Sequence, residues 1–105
     1  MKKKIKFQNL LENSKSSMHL FIIRVNKSLR KSLYNNLKKS GINTNLHYIP
    51  IYRHSYYKQN KLQKKNFKNA EIYYREAMTL PLYFDLKKKD QMKIIKIINR
   101  TLAKN

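Results

Sequence analysis

Residues Met18 to Gly41 constrain the fold more than any other stretch of this chain. Met18-His-Leu-Phe-Ile-Ile-Arg-Val25 is dense in β-branched and aromatic residues and apolar on both faces, the pattern of a central strand covered on both sides. Asn26 follows as a helix N-cap, its side-chain oxygen suited to accept from the first free amides. Leu29, Leu33 and Leu37 then recur every fourth residue and give a helix over 27–40 one apolar stripe. Lys38 and Lys39 suit the negative end of its dipole. Gly41, the only glycine, fits the left-handed residue that closes a helix. A strand running straight into a capped helix asks for a sheet with a helix packed on it, an α/β layer arrangement.

The flanking segments extend that plan. Residues 1–15 are a basic lead-in in which Ile5, Leu10 and Leu11 predict a short helix over 1–13; Asn13 to Ser17 reads as a polar linker. Ile42, Thr44, Leu46 and Tyr48 alternate with Asn43, Asn45 and His47, which predicts a second strand with one polar face. Residues 49–67 show no period and read as a long loop, a kind that is often functional in compact domains. Asn69 is placed to cap a helix through Met78, with Ala70, Tyr73, Tyr74, Ala77 and Met78 on one face. Thr79 to Tyr83 reads as a short extended piece that Pro81 holds at an edge or a strand start. Asp85 is the expected cap of a last helix buried through Met92, Ile95, Ile98 and Leu102.

Composition limits the chemistry. At 105 residues, 41% of them apolar, the chain is long enough for one modest core. It has no cysteine, which excludes disulfides and thiolate metal sites. No apolar run approaches the roughly 20 residues that cross a bilayer, and no signal-peptide core follows the basic start, so a cytoplasmic location is expected. The net charge is +20, and two readings of it stand. One is a binder of nucleic acid through charge. The other is drift: Lys, Asn and Ile make up 43 residues, 20 of the 25 basic residues are Lys, and these are scattered rather than gathered on one element. Nucleic-acid surfaces favour Arg for bidentate contacts.

The site-type side chains gather between 41 and 57. His47 either hydrogen-bonds a phosphate or sugar hydroxyl, or is a structural His satisfied by a backbone carbonyl. Arg53, among aromatic residues, either holds a diphosphate with its planar fork or is a solvated loop residue; His54 adjoins it. Pro50 shapes the loop. His19, inside an apolar run, is expected to be buried and hydrogen-bonded. Tyr56, Tyr57, Tyr73 and Tyr74 come in adjacent pairs, so they suit packing better than a stacking platform for bases. The spacing of His19, His47 and His54 suggests no metal site, the five acidic residues form no acid/base pair, and one glycine cannot build a phosphate cradle. No catalytic, cofactor-binding or metal-ligating residue is therefore assigned.

Four stretches, in order, carry a resemblance: Ser16 to Val25, Gly41 to Tyr57, Asn69 to Tyr83 and Asp85 to Gln91. Over roughly residues 16–103 the chain resembles the small C-terminal domain of the DegT/DnrJ/EryC1/StrS sugar aminotransferases, pyridoxal-phosphate enzymes of fold type I that aminate keto sugars carried on nucleotides. Its His-Tyr-Ile-Pro-Ile form, 47–51, is similar to that of members making the UDP-linked 4-amino-4,6-dideoxy-N-acetyl-altrosamine precursor of pseudaminic acid. The resemblance implies an α/β domain over 16–105, a large cofactor-binding domain absent from this chain, and so a C-terminal fragment or one half of a split enzyme, with a degenerate domain lacking activity of its own as the alternative. It implies His47 and Tyr48 facing the substrate; with Arg53 from the reading above, they are the candidate contacts for the sugar or its diphosphate. It also implies pyridoxal phosphate as cofactor of the intact enzyme but none for this chain alone, a nucleotide-linked keto sugar and glutamate as substrates, a partner chain carrying the large domain if the two are separate, and a homodimer. The chain departs from the family pattern at Tyr52, where His is usual, and at Ser55 and Lys68, where Pro is usual; two lost prolines leave a loop less rigid.

Overall fold

The computed structural model describes residues 4–59 and 66–104, so the middle of the expected 49–67 loop and the lysines at 2–3 and 64–65 lie outside the described residues. Three strands form an antiparallel sheet in the order β1-β2-β3: β1 Ile5–Phe7, β2 Phe21–Val25 and β3 Ala77–Leu80. Ile5 pairs with Val25, and Phe21 with Leu80, so β2 lies at the centre. Helices α1, Lys27–Lys39, and α4, Lys88–Ala103, pack on one face. The core joins Ile23 and Val25 of β2, Met78 and Leu80 of β3, Leu33 and Leu37 of α1, and Ile94, Ile98 and Leu102 of α4. A 3-10 turn, Ile51–Arg53, and two further helices, α2 Ser55–Gln59 and α3 Lys68–Glu76, complete the chain order. The fold is α/β, as expected.

The strand-cap-helix-stop unit forms as its sequence dictates. The Asn26 side chain accepts from the Ser28 amide at 3.0 Å. At the other end the Ile42 amide bonds the Leu37 carbonyl and the Gly41 amide the Lys38 carbonyl, while Gly41 sits at φ 78°. That pair of bonds with a left-handed glycine is a Schellman closure, and nothing lies within 4 Å of where a Cβ would project.

Elsewhere neighbours override local pattern. The predicted helix over 1–13 is instead strand β1: Lys4 and Lys6 alternate with Ile5 and Phe7, and the edge of β2 supplies the partner. The strand expected from Met18 begins only at Phe21, because Met18 lies at φ 55°, where an extended ladder cannot continue. His19 is therefore exposed rather than buried. All four residues of β3 are buried, whereas β2 is half-exposed at Phe21, so the strand covered on both sides is β3. The strand expected over 42–48 reduces to one bridge between Asn45 and Thr79. The free edge of β3 is short, and Pro81 ends it without a donor.

Helix α3 starts at Lys68 without a side-chain cap, so Asn69 lies inside it, and it stops at Glu76 because Ala77 and Met78 are claimed by pairing with Arg24 and Ile23. Helix α4 starts after Lys87, two residues beyond the expected cap Asp85. It buries Ile94, Ile98, Thr101 and Leu102, leaving Met92 and Ile95 on the exposed side. No described helix is long and apolar enough to cross a membrane.

Candidate functional site

The Gly41 closure delivers the chain to the free edge of β3. There Asn45 and Thr79 exchange two backbone bonds, of 3.1 and 2.8 Å, which fix the register of the residues that follow. Two residues on, His47 Nδ1 lies 2.8 Å from Thr79 Oγ1. The ring is half-buried, and its Nε2 has no partner among the described residues. Its neighbour Tyr48 packs edge-on against it, with ring centroids 4.6 Å apart, and is 69% exposed. The peptide between the two is cis. Of the two readings of His47, hydrogen-bonding to a backbone carbonyl is not what is found. A threonine hydroxyl on the neighbouring strand holds one nitrogen and leaves the other open.

Pro50 then precedes the 3-10 turn, whose hydrogen bonds run from the Arg53 amide to the Pro50 carbonyl and from the His54 amide to the Ile51 carbonyl, each at 3.0 Å. The turn sends Tyr52 inward and Arg53 alongside it. Both meet Glu71 of α3. Tyr52 Oη donates to Glu71 Oε1 at 2.8 Å, and Arg53 donates through Nε and Nη2 to both carboxylate oxygens, also at 2.8 Å. Arg75, one helical turn on, lies 3.6 Å from Glu71 Oε2. The Tyr52 ring stacks on Phe67 at 4.7 Å and 8°.

The electrostatics follow from these contacts. The Arg53 fork, assisted by the Tyr52 hydroxyl, holds the Glu71 carboxyl at a pKa of about 2 against the cost of burial. Burial raises the Tyr52 hydroxyl, and the carboxylate beside it adds to the shift. Hydrogen bonding to Glu71 raises Arg53 further. Arg53 is thus not a solvated loop residue: its Nε/Nη2 edge is occupied by Glu71, and its Nη1 has no hydrogen-bond partner among the described residues. Its guanidinium face lies 4.7 Å from the centroid of Tyr74.

The loop therefore contains two separate assemblies. His47 and Tyr48 stand at the sheet edge, while Tyr52 and Arg53 are locked onto α3. His54 and Tyr56 are exposed, and Tyr56 meets Tyr57 edge-on at 5.2 Å. Tyr73 and Tyr74 sit under Arg24 and Arg30, so they pack under cations rather than forming a platform. Sequence reasoning missed Glu71 and Thr79. Glu71 had one signal, an acidic residue four positions before an Arg on the same helix; Thr79 had none, since its role depends on which strand edge receives His47.

Among the described residues, no buried lysine is available to a pyridoxal phosphate ring. Every lysine side chain described is exposed except half-buried Lys4, whose Nζ donates to the Leu102 carbonyl. Glu71 and Glu76 are both taken by arginines. An imine lysine and an acid at the ring nitrogen have no counterpart among the described residues.

The model of the DegT/DnrJ/EryC1/StrS aminotransferase family matches residues 2–99. The UDP-4-amino-4,6-dideoxy-N-acetyl-beta-L-altrosamine transaminase of Campylobacter jejuni is 30% identical over 79 residues, which cover 72% of this chain and 21% of that protein. Among solved structures, Spr1654 of Streptococcus pneumoniae in its PMP form superposes with a TM-score of 0.87 at 28% identity, covering 96% of this chain and 26% of that one. PseC of Helicobacter pylori, an aminotransferase involved in the biosynthesis of pseudoaminic acid, gives a TM-score of 0.76 at 28% identity over 89% of this chain and 26% of its own. The chain spans about a quarter of the length of such relatives. A family match across nearly the whole chain, and a strand-capped-helix core that superposes on sugar aminotransferases, place it in the DegT/DnrJ/EryC1/StrS aminotransferase family.

Proposed function

We propose that this chain forms one wall of the substrate cleft of a nucleotide-sugar aminotransferase, working in the cytoplasm with a large domain that lies outside these residues, in the same polypeptide or a separate one. The reaction moves an amino group from glutamate to a nucleotide-linked 4-keto-6-deoxy sugar, and the active unit is a homodimer. Pyridoxal phosphate, held by the large domain, supplies the electron sink for that transfer. Among the described residues no lysine is placed to hold it, and in this reading the present chain binds none alone.

The observation that carries this reading is His47 pinned through Nδ1 to Thr79 with Nε2 unpartnered. A ring fixed by a neighbouring strand presents its free nitrogen at a set position, which is what recognition of a sugar hydroxyl requires. Tyr48 offers an exposed ring and hydroxyl beside it. Arg53, its Nε/Nη2 edge bound to Glu71, contributes its charge and its remaining Nη1 donors. Pro50 sets where the turn begins.

The test is a chimera of the Campylobacter transaminase in which this chain replaces the matching segment, about a fifth of that protein, assayed for its transaminase activity with glutamate as amino donor. Turnover that falls on His47→Ala while pyridoxal phosphate stays bound is the expected result. A chimera that folds, holds the cofactor and turns over equally well with Ala at position 47 refutes the role of His47.

A further inference from the structure

The hydroxyl of Thr79 is a buried donor with a single partner. Thr79 is 6% exposed, in a strand whose four residues are all buried. Its amide and its carbonyl are both taken by Asn45. Across the sheet it pairs with Ile22, which has no side-chain acceptor. Among the described residues its Oγ1 has one hydrogen-bond partner, His47 Nδ1 at 2.8 Å. Threonine is stiff about its first side-chain bond, and the Asn45 bridge fixes the register of the strand edge, so the hydroxyl is held toward the ring.

That contact can be made in two ways, which differ in what the other side of the ring does. In one, Nδ1 carries the proton and donates to Oγ1, which leaves Nε2 a bare acceptor. In the other, the hydroxyl donates to a bare Nδ1, which puts the ring proton on Nε2. The first strands the Thr79 proton in a buried position with no acceptor among the described residues. The second satisfies both groups. A buried donor without a partner carries a desolvation penalty that nothing returns, so the second arrangement prevails. No carboxylate among the described residues is bonded to the ring to hold a proton on Nδ1 and reverse the order.

We infer that Thr79 is a positioning residue that fixes His47 in its Nε2–H tautomer, making Nε2 a hydrogen-bond donor reserved for an acceptor oxygen. A hydroxyl lone pair, a carbonyl or an anionic oxygen suits it; an ammonium or any donor-only group does not. The tautomer follows from the sheet edge alone. That the acceptor belongs to a substrate rests on the role proposed above for His47.

Nitrogen NMR of the 105-residue chain, isotopically labelled in its histidine rings and held at about pH 9 where imidazole is neutral, tests it. His19 and His54 are exposed, have no side-chain partner among the described residues, and serve as references that exchange between tautomers. His47, assigned by its loss in His47→Gln, should show a bare Nδ1 and a protonated Nε2. Its preference for Nε2–H should exceed that of the references by at least about fivefold, from the penalty avoided. Thr79→Val keeps the branched shape without the hydroxyl and should return His47 to the reference shifts, whereas Thr79→Ser should keep the wild-type ones. A threonine that only packs would give way to valine without moving the tautomer. A protonated Nδ1 in the wild-type chain, or wild-type shifts in a folded Thr79→Val variant, overturns the inference. Substrate contact is read separately in the Campylobacter chimera. There Thr79→Val should raise KM for the amino acceptor by about twofold or more, as the competent tautomer is diluted, and Thr79→Ser should restore it. An unchanged KM beside the expected shifts supports the Thr79 assignment and refutes substrate contact at His47.

Discussion

Ile94 and Ile95 are adjacent residues of the same type in the same helix, yet the structure gives them opposite fates. Ile94 is 7% exposed in the core, and Ile95 is 47% exposed on the outer side of α4. Replacing each by Ala removes the same three carbons, worth about 0.8 kcal/mol each when fully buried. For Ile94 that is about 2.4 kcal/mol before the cavity left between α1, α4 and the sheet is counted, and Ile→Ala in cores costs about 2–5 kcal/mol. For Ile95 only half the transfer is lost, about 1.2 kcal/mol. Alanine returns about 0.4 kcal/mol of helix propensity at either position. Ile94→Ala should therefore cost about 3 kcal/mol and Ile95→Ala about 1 kcal/mol or less. In urea unfolding followed by circular dichroism, with slopes of about 1–3 kcal/mol per M, the two midpoints should differ by about 1 M. Equal midpoints, or a larger loss at Ile95, would refute the assignment of the buried face.

Three further outcomes follow from the same contacts. Glu71 titrates at about 2 in the folded chain against an ordinary 4.5, so its stabilisation is fully present above about pH 4.5 and is lost as pH falls toward 2; Glu71→Gln should flatten the wild-type fall in melting temperature across that window, and an unchanged profile would show that other groups govern acid unfolding. Gly41→Ala meets no neighbour but forces a Cβ into φ 78°, so it should cost about 1–2 kcal/mol by urea titration, while loss of less than a few tenths would mean that the helix end relaxes. Thr79→Val removes the hydroxyl holding His47 and should cost about 1 kcal/mol, with the His47 ring resonances shifting in NMR spectra; unmoved resonances would show that the ring is held by something else.

Legibility in the sequence tracked how local each signal was. Asn26, the leucines at 29, 33 and 37, and Gly41 settle α1 within a few residues of themselves, because capping and a four-residue stripe are satisfied by the helix's own backbone. His47 and Tyr48 stood out through their residue types at the end of an alternating run. Arg53 stood out too, but its partner is 18 residues away on another helix, so its occupied fork was invisible. Tyr52, noted in the sequence only as a departure from the family's usual His, is buried, with its hydroxyl on the same carboxylate. The lead-in at Ile5 looked weakly helical because a three-residue strand has no signature of its own until β2 offers an edge.

By itself, the sequence determined that this chain has one α/β core and a capped helix after a β-rich run. Tertiary structure decided the rest. It chose Ile94 over Ile95 as the core residue of α4, since the run from Met92 to Ile98 carries two overlapping apolar stripes and only packing against α1 selects one. It turned Ala77 and Met78 from helix to strand, because pairing with β2 outweighs their helix propensity. It also drew Arg53 to Glu71, Arg30 to Tyr74 and His47 to Thr79, contacts made by residues far apart in sequence.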